Sequence, residues 1–285
     1  MVYLNGKMLP IEEAKISVLD RGFLLGDGVY EVIPAYGGCL FRLEQHLQRL
    51  QSSLDAIRIS NPHTNAEWEK ILNELIAQDS EEDQSVYLQV TRGVAAKRDH
   101  AFPDKVSQTV FIMSSTMLPV SDTKLANGVT AITHDDIRWR YCHIKSIALL
   151  PNTLMRQVAR EAGADEAILN RDGKITEGAA SNIFIVKNNK IITPPNDECL
   201  LPGITRDLVL EIAANANLNY SEEDIDLTQL QSADEIWLTS STKEILPVTQ
   251  LDGLPVGDGK PGPCWKEMLT RYQEHKELLR SGAAC

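Results

Sequence analysis

Lys145 stands in the run Ile144-Lys145-Ser146, directly ahead of the apolar residues 147–150. An amine at the mouth of a buried segment is partly desolvated, which lowers its proton affinity and makes it a nucleophile able to form a Schiff base. Taken alone, such a lysine reads more readily as a surface residue whose stem lies on apolar neighbours. Its company changes the weighting. Glu177 and Gly178 follow a strand and hairpin and lead into Ala179-Ala180-Ser181. A carboxylate among small residues could approach a planar ligand and hold a proton on a ring nitrogen; the plainer alternative is a solvated turn. Leu201-Pro202-Gly203-Ile204-Thr205-Arg206-Asp207 reads as a helix start whose backbone N–H groups suit an anion. Thr239-Ser240-Ser241-Thr242 is a second donor-rich turn after a strand. With Arg49 these turns could hold a phosphate, although an ordinary cap is the commoner reading. Neither carries a Walker-type lysine motif, so a nucleoside triphosphate is not expected.

The elements that must position these groups fall into two halves. In the first, residues 29–36 alternate as a strand after Gly26-Asp27-Gly28, and Tyr36-Gly37-Gly38 turns them into residues 39–42. Leu43, Leu47, Leu50 and Leu54 recur at helical spacing, as do Trp68, Leu72 and Leu75. Residues 86–92 and 109–114 are β-branched apolar runs joined by the polar stretch 93–105, a loop long enough to carry function. A boundary is expected at residues 118–124, dividing a small domain (1–118) and a linker (119–124) from a larger domain (125–285). In the second half, residues 166–170 with 174–176, and 182–187 with 190–193, form hairpins around Arg171-Asp172-Gly173 and Asn188-Asn189. Helices are expected at 151–161, ended by Gly163, and at 206–216, opened after Gly203, with a buried strand at 235–239. No repeat is present. The fold class is therefore mixed α/β, or α+β, in two domains.

Composition narrows the partners. The 285 residues carry 28 Lys plus Arg against 40 Asp plus Glu, a formal charge of −12, and no basic run suited to phosphate recognition on nucleic acid. Small molecules are the expected partners. No stretch is long and apolar enough for a membrane span, and residues 1–10 lack the order of a signal peptide, so the cytoplasm is the default compartment. Cys39, Cys142, Cys199, Cys264 and Cys285 are scattered without a CxxC pair and are expected to be reduced thiols. His46, His63, His134 and His143 show no ligand spacing, and no metal site is expected.

Five stretches in order carry a resemblance. They are Asp20-Arg21-Gly22-Phe23 with Gly26-Asp27-Gly28-Val29-Tyr30-Glu31, the Lys145 segment, Thr176-Glu177-Gly178 with Ser181-Asn182, Gly203-Ile204-Thr205-Arg206, and Thr239-Ser240-Ser241. Over about residues 4–257 the chain resembles the class IV (fold type IV) pyridoxal-phosphate transaminases, a family that includes branched-chain and D-amino-acid aminotransferases and aminodeoxychorismate lyase. The resemblance implies a two-domain fold type IV enzyme using pyridoxal 5'-phosphate, and a homodimer. It makes Lys145 the Schiff-base lysine and proton shuttle and pairs Glu177 with the pyridine nitrogen. It assigns the phosphate to Arg49, Ile204, Thr205, Ser240 and Ser241, packs Leu201 on the ring face and puts Arg138 on the phenolate side. An anionic partner for a protonated ring makes that ring a stronger electron sink.

Thr91-Arg92-Gly93 followed by Arg98-Asp99-His100-Ala101-Phe102-Pro103 is similar to the D-amino-acid pattern within the family, in which the arginine and histidine join Tyr30 to bind the substrate carboxylate. A guanidinium grips a carboxylate bidentately and an imidazole adds a donor. By the same resemblance Arg98 and His100 reach the site of the neighbouring subunit. Ala179 and Ala180 depart from the hydroxyl residues of that pattern, which bears on rate and side-chain preference more than on reaction type. The resemblance thus implies transamination between a D-amino acid such as D-alanine and a 2-oxo acid such as 2-oxoglutarate. Its competitors are an aminodeoxychorismate lyase, a branched-chain L-amino-acid aminotransferase and a catalytically silent scaffold.

Overall fold

The computed structural model describes residues 1–79 and 82–281, and the chain divides into two compact units. The first comprises Met1–Leu118, the segment Ile144–Leu149 and the described residues from Leu278 onward; the second comprises Pro119–His143 and Leu150–Glu277.

The first unit is a six-stranded antiparallel sheet with two helices on one face. Its strands are β1 (Val2–Leu4), β2 (Lys7–Leu9), β3 (Gly28–Tyr36), β4 (Cys39–Leu40), β5 (Gln84–Thr91) and β6 (Thr109–Thr116), in the order β2-β1-β6-β5-β3-β4. The β1–β2 turn uses Asn5 and Gly6, both with positive φ (48° and 90°), an Asn-Gly hairpin signal not used in the sequence reading. A short helix α1 (Arg21–Leu25) precedes β3, while α2 (Leu43–Ala56) and α3 (Asn65–Ile76) cover the sheet. The leucines at helical spacing on α2 and the Trp68, Leu72 and Leu75 face of α3 close over Ile33, Val86, Leu88 and Ile112. Each fully buried leucine contributes roughly 1.5–3 kcal/mol. Thr64 and Glu67 form a reciprocal capping box that starts α3.

The second unit holds α4 (Asp122–Asn127), β7 (Val129–Asp135), α5 (Leu150–Glu161), β8 (Glu166–Arg171), β9 (Lys174–Gly178), β10 (Asn182–Lys187), β11 (Lys190–Thr193), α6 (Ile204–Asn215), β12 (Tyr220–Glu222), α7 (Leu227–Gln231), β13 (Glu235–Ser240), β14 (Glu244–Leu251), β15 (Leu254–Pro255) and α8 (Pro263–Arg280). The strand order is β12-β11-β10-β13-β14-β7-β8-β9, with β15 beside β14. Parallel pairs at β11/β12, β14/β7 and β7/β8 make the sheet mixed. Met155 and Ala159 of α5 pack on Ala167, Leu169 and Ala179, and α6 packs on β13.

Three expectations change. Residues 122–124 of the expected linker are helical, because Ser121 accepts from the Lys124 backbone N–H and caps α4; the small polar residues there are capping chemistry. The segment around Lys145 joins the first unit because its backbone extends the sheet. Tyr30 N–H donates to the Lys145 carbonyl at 3.0 Å, Ile147 N–H donates to the Gly28 carbonyl at 3.1 Å, and Ser146 bridges Val29. Cys142, Cys199 and Cys264 are free thiols, but Cys39 is disulfide-bonded, and Cys285 lies outside the described residues. Among the described residues no helix is long and apolar enough to cross a membrane.

Candidate active site

In the first unit the site begins where the Lys145 segment lies against β3. The Lys145 side chain is half-buried, and its Nζ sits 4.2 Å from the centroid of the Tyr30 ring. Tyr30 stacks on Tyr87 with centroids 5.6 Å apart, so the phenol under the amine is held by its neighbour on β5. The Lys145 backbone N–H donates to Ser53 Oγ at 3.2 Å, which ties the segment to α2. On α2, His46, Arg49 and Ser53 follow one another at i, i+3 and i+7 and are all buried. Arg49 grips Glu31 of β3 through Nε at 2.8 Å and an Nη at 2.7 Å, and His46 Nδ1 meets the same carboxylate at 2.8 Å. A carboxylate only accepts, so that bond puts the imidazole proton on Nδ1. Burial alone would raise the Glu31 carboxyl, but the charge and hydrogen bonds of Arg49, with those of His46, hold it well below the usual carboxylate range. Burial pushes His46 down, toward the neutral form.

The loop expected to meet the substrate carboxylate is anchored at its backbone, with Arg98 and His100 exposed. Arg21 donates to the Asp99 and Ala101 carbonyls at 2.6 and 3.2 Å and to the His100 carbonyl at 3.4 Å. The structure therefore brings Lys145 and Tyr30 together, and the single chain does not bring Arg98 or His100 into a hydrogen bond with either of them among the described residues.

In the second unit the buried carboxylate is Glu177, near the end of β9, with 5% exposure. That excludes the solvated-turn alternative. Oε2 accepts from Asn182 Nδ2 and from the Leu201 backbone N–H, each at 3.1 Å, while Oε1 takes the Arg138 guanidinium. Burial pushes Glu177 above its ordinary value, opposed by the charge of Arg138. Arg138 is held in turn by Asp136, through Nε at 2.9 Å and an Nη at 2.8 Å, and Asp136 also accepts from Thr176 Oγ1 at 3.0 Å. Arg171 reaches the same Asp136 carboxylate at 3.0 Å. Three Arg138 side-chain bonds thus go to Asp136 and Glu177, so this arginine also fixes the Glu177 carboxylate.

The helix expected from Arg206 starts two residues earlier. Gly203 is its N-cap in extended conformation with no side-chain cap, so Ile204 and Thr205 are its first two residues. A Cβ on Gly203 would lie 1.9 Å from Asn182 Oδ1, so only glycine lets the chain pass this close to the Glu177 partner. At the end of β13, which α6 packs on, Thr239 Oγ1 is buried without a hydrogen-bond partner and Ser240 and Ser241 are half-buried hydroxyls. An uncapped helix start and three hydroxyls, one of them orphaned, fit a phosphate, and Leu201, locked to Glu177 through its backbone, can lie against a ring whose nitrogen meets that carboxylate.

Sequence reasoning missed Glu31, His46, Asp136 and Asn182 as partners of the site. A signal existed for two of the polar groups on α2: His46 and Ser53 are interleaved with the Leu43, Leu47, Leu50 and Leu54 stripe, where a buried polar group needs a buried partner.

The first unit thus offers an amine over a phenol, and the second a buried carboxylate and an uncapped helix start, residue types that suit Schiff-base chemistry with a phosphorylated aldehyde cofactor. The family described as amino-transferase class IV matches residues 28–251. The chain is 42% identical over 272 residues, covering 95% of both sequences, to a D-alanine aminotransferase of Bacillus licheniformis. Among solved structures, the Escherichia coli branched-chain amino acid aminotransferase superposes with a TM-score of 0.91 at 27% identity, covering 96% of this chain and 93% of that one. The branched-chain amino acid aminotransferase of Thermoproteus uzoniensis with norvaline superposes with a TM-score of 0.85 at 28% identity, covering 99% of this chain and 95% of that one. Another branched-chain amino acid aminotransferase, solved with pyridoxamine 5'-phosphate, reaches a TM-score of 0.91 at 27% identity, covering 96% of this chain and 93% of its own. The chain belongs to the class IV aminotransferase family and is a pyridoxal-phosphate-dependent aminotransferase of fold type IV.

Proposed function

We propose that this aminotransferase works on D-amino acids, moving the amino group of a substrate such as D-alanine to a 2-oxo acid such as 2-oxoglutarate. The observation that carries this reading is the anchored loop with Arg98 and His100 turned outward, the chemistry for a carboxylate on a second copy of the chain. The higher identity to a D-alanine enzyme than to the branched-chain ones supports the same choice over an L-branched-chain activity or a lyase.

When bound, the cofactor supplies an electrophilic carbon and an electron sink for the substrate amine. Lys145 would hold the cofactor through Nζ and, once the substrate amine has displaced it there, would carry the proton of the substrate α-carbon on that same nitrogen. Tyr30 keeps that amine in place. Glu177, positioned by Arg138 and Asn182, would hold a proton on the ring nitrogen, and Leu201 would pack against the ring. Ile204 and Thr205 would offer backbone N–H groups to the phosphate, joined by Ser240, Ser241 and Arg49. Arg98, His100 and Tyr30 bind the substrate carboxylate so that the α C–H of the D-enantiomer faces Lys145. The working unit is a homodimer in the cytoplasm, and exposed Phe23 and Leu154 are apolar side chains that a second copy would cover.

The test is an assay of loaded protein with 2-oxoglutarate and a panel of D- and L-amino acids, followed by borohydride reduction and peptide mapping. Pyruvate from D-alanine, no product from L-leucine and the label on Lys145 are the expected results. Preference for L-leucine, or label on another lysine, overturns the reading. Lys145→Ala should remove both label and turnover, a loss of at least about 10⁴-fold.

A further inference from the structure

The first unit contains a charge cluster that the reaction does not use. Asp27, in the turn before β3, accepts from Arg21 Nε at 2.7 Å and from Arg92 Nε and an Nη at 2.8 and 3.0 Å. Both guanidiniums are at least nine-tenths buried. One carboxylate between two cations leaves positive charge over, and oxygen dipoles answer it: Arg21 takes the carbonyls of Asp99, His100 and Ala101, and Arg92 takes those of Ile57 and Arg58 at the end of α2, at 2.6 and 2.9 Å. Arg92 also lies over the Phe102 ring, 3.7 Å from its centroid.

Arg21 cannot drift. Its backbone N–H donates to the Gly93 carbonyl at 2.9 Å, and the preceding Asp20 caps α1 while accepting from Thr91 and Thr109 hydroxyls at 2.9 and 2.6 Å. A Cβ on the following Gly22 would lie 2.3 Å from Thr91 Cγ2, so α1 is pressed onto the end of β5. Three consecutive carbonyls drawn inward to one fixed fork curl the chain around it, and the side chains of Arg98 and His100 are left outside.

We propose that Arg21 is a positioning residue for substrate selection, holding residues 98–102 in the one shape that presents Arg98 and His100 to a substrate carboxylate, with Asp27 and Arg92 as its foundation. This rests on the carboxylate-binding reading of Arg98 and His100 above. A lysine at position 21 cannot replace the fork, because a point charge serves one acceptor at a time.

The experiment compares Arg21→Gln, Arg21→Lys, Phe102→Ala and Arg98→Ala holoenzymes with wild type. It measures steady-state kinetics with D-alanine and 2-oxoglutarate, the cofactor absorbance, and the rate of limited trypsin cleavage at Lys97 and Arg98 in the first three variants. For Arg21→Gln and Arg21→Lys the expected result is about tenfold faster cleavage, about a tenfold rise in KM for D-alanine, kcat within about threefold and unchanged absorbance. Phe102→Ala alters an exposed ring and keeps the test available if the Arg21 variants do not fold; about a threefold change in the same direction is expected. Faster cleavage with an unchanged KM, while Arg98→Ala raises KM, overturns the proposal and spares the carboxylate reading. An unchanged KM in Arg98→Ala removes that reading and the proposal with it. Unchanged cleavage and KM in the Arg21 variants mean that the fork does not hold the loop.

Discussion

Each unit buries a glutamate against an arginine, and the two carboxylates are driven in opposite directions. Glu31 takes two guanidinium bonds from Arg49 and one from His46, and falls far below its ordinary value. Glu177 is also buried against an arginine, yet it rises. The difference lies in what else the arginine holds. Arg138 gives Nε and an Nη to Asp136, so its charge is shared between two carboxylates, and Asp136 itself repels the charge on Glu177. Glu31 is a fixed anion that braces α2 against β3; Glu177, whose arginine is shared with Asp136, keeps a higher proton affinity.

Exchanging one atom on each glutamate is the most forceful test of this contrast. Glu31→Gln removes the anion from a buried pair and should cost about 3–5 kcal/mol in urea unfolding of the first unit. Glu177→Gln should instead lower kcat by about 10²–10³-fold while unfolding shifts little, because an amide still meets Asn182 and the Leu201 N–H. The contrast fails if Glu177→Gln unfolds the protein and Glu31→Gln loses activity alone.

Asp136→Asn probes the sharing directly. With Asp136 neutral, Arg138 serves Glu177 alone, so the proton affinity of the Glu177 carboxyl should fall about tenfold, followed by NMR of selectively labelled glutamate. No movement would mean that Asp136 supplies geometry only.

The pH dependence has opposite signs in the two regions. As pH falls, the unfolded chain protonates His46 near its ordinary 6.5 while the folded chain resists, so stability drops between about pH 7 and 5. Below about 4.5 the unfolded Glu31 protonates while the folded one does not, and stability drops further. Glu177 acts the other way, since its folded form holds a proton above the ordinary 4.5 and its contribution is lost as pH rises through the folded value. Unfolding free energies from pH 4 to 8 should therefore flatten at the acid end in Glu31→Gln. A slope there equal to wild type would remove Glu31 from the account.

The least effect belongs to a surface pair of equal length. Lys124 and Asp165 meet at 2.7 Å, as Arg49 and Glu31 do, but their side chains are 50% and 33% exposed. Lys124→Ala should change stability by no more than about 0.5 kcal/mol, and a larger loss would show that distance matters here more than burial.

Residue types and local periodicity carried much of this protein into view. The leucine spacing of α2, the apolar runs of β3, β5 and β6, and the hairpins around Asp172-Gly173 and Asn188-Asn189 were legible because each depends on neighbours a few residues away. The helix start after Gly203 was legible for the same reason. The Asn5-Gly6 hairpin is local in the same way, both residues having positive φ. What no pattern could supply is who answers whom. Arg92 finds carbonyls at Ile57 and Arg58, 35 and 34 residues earlier, and Arg138 finds Glu177 39 residues later. Whether a buried carboxylate ends as a fixed anion or a proton acceptor depends on those partners, since a charge in low dielectric is governed by the groups within a few ångströms of it. Residue order set the elements and the kinds of chemistry on offer; long-range packing, by bringing distant charges into contact and excluding water from them, set the opposite proton affinities of Glu31 and Glu177.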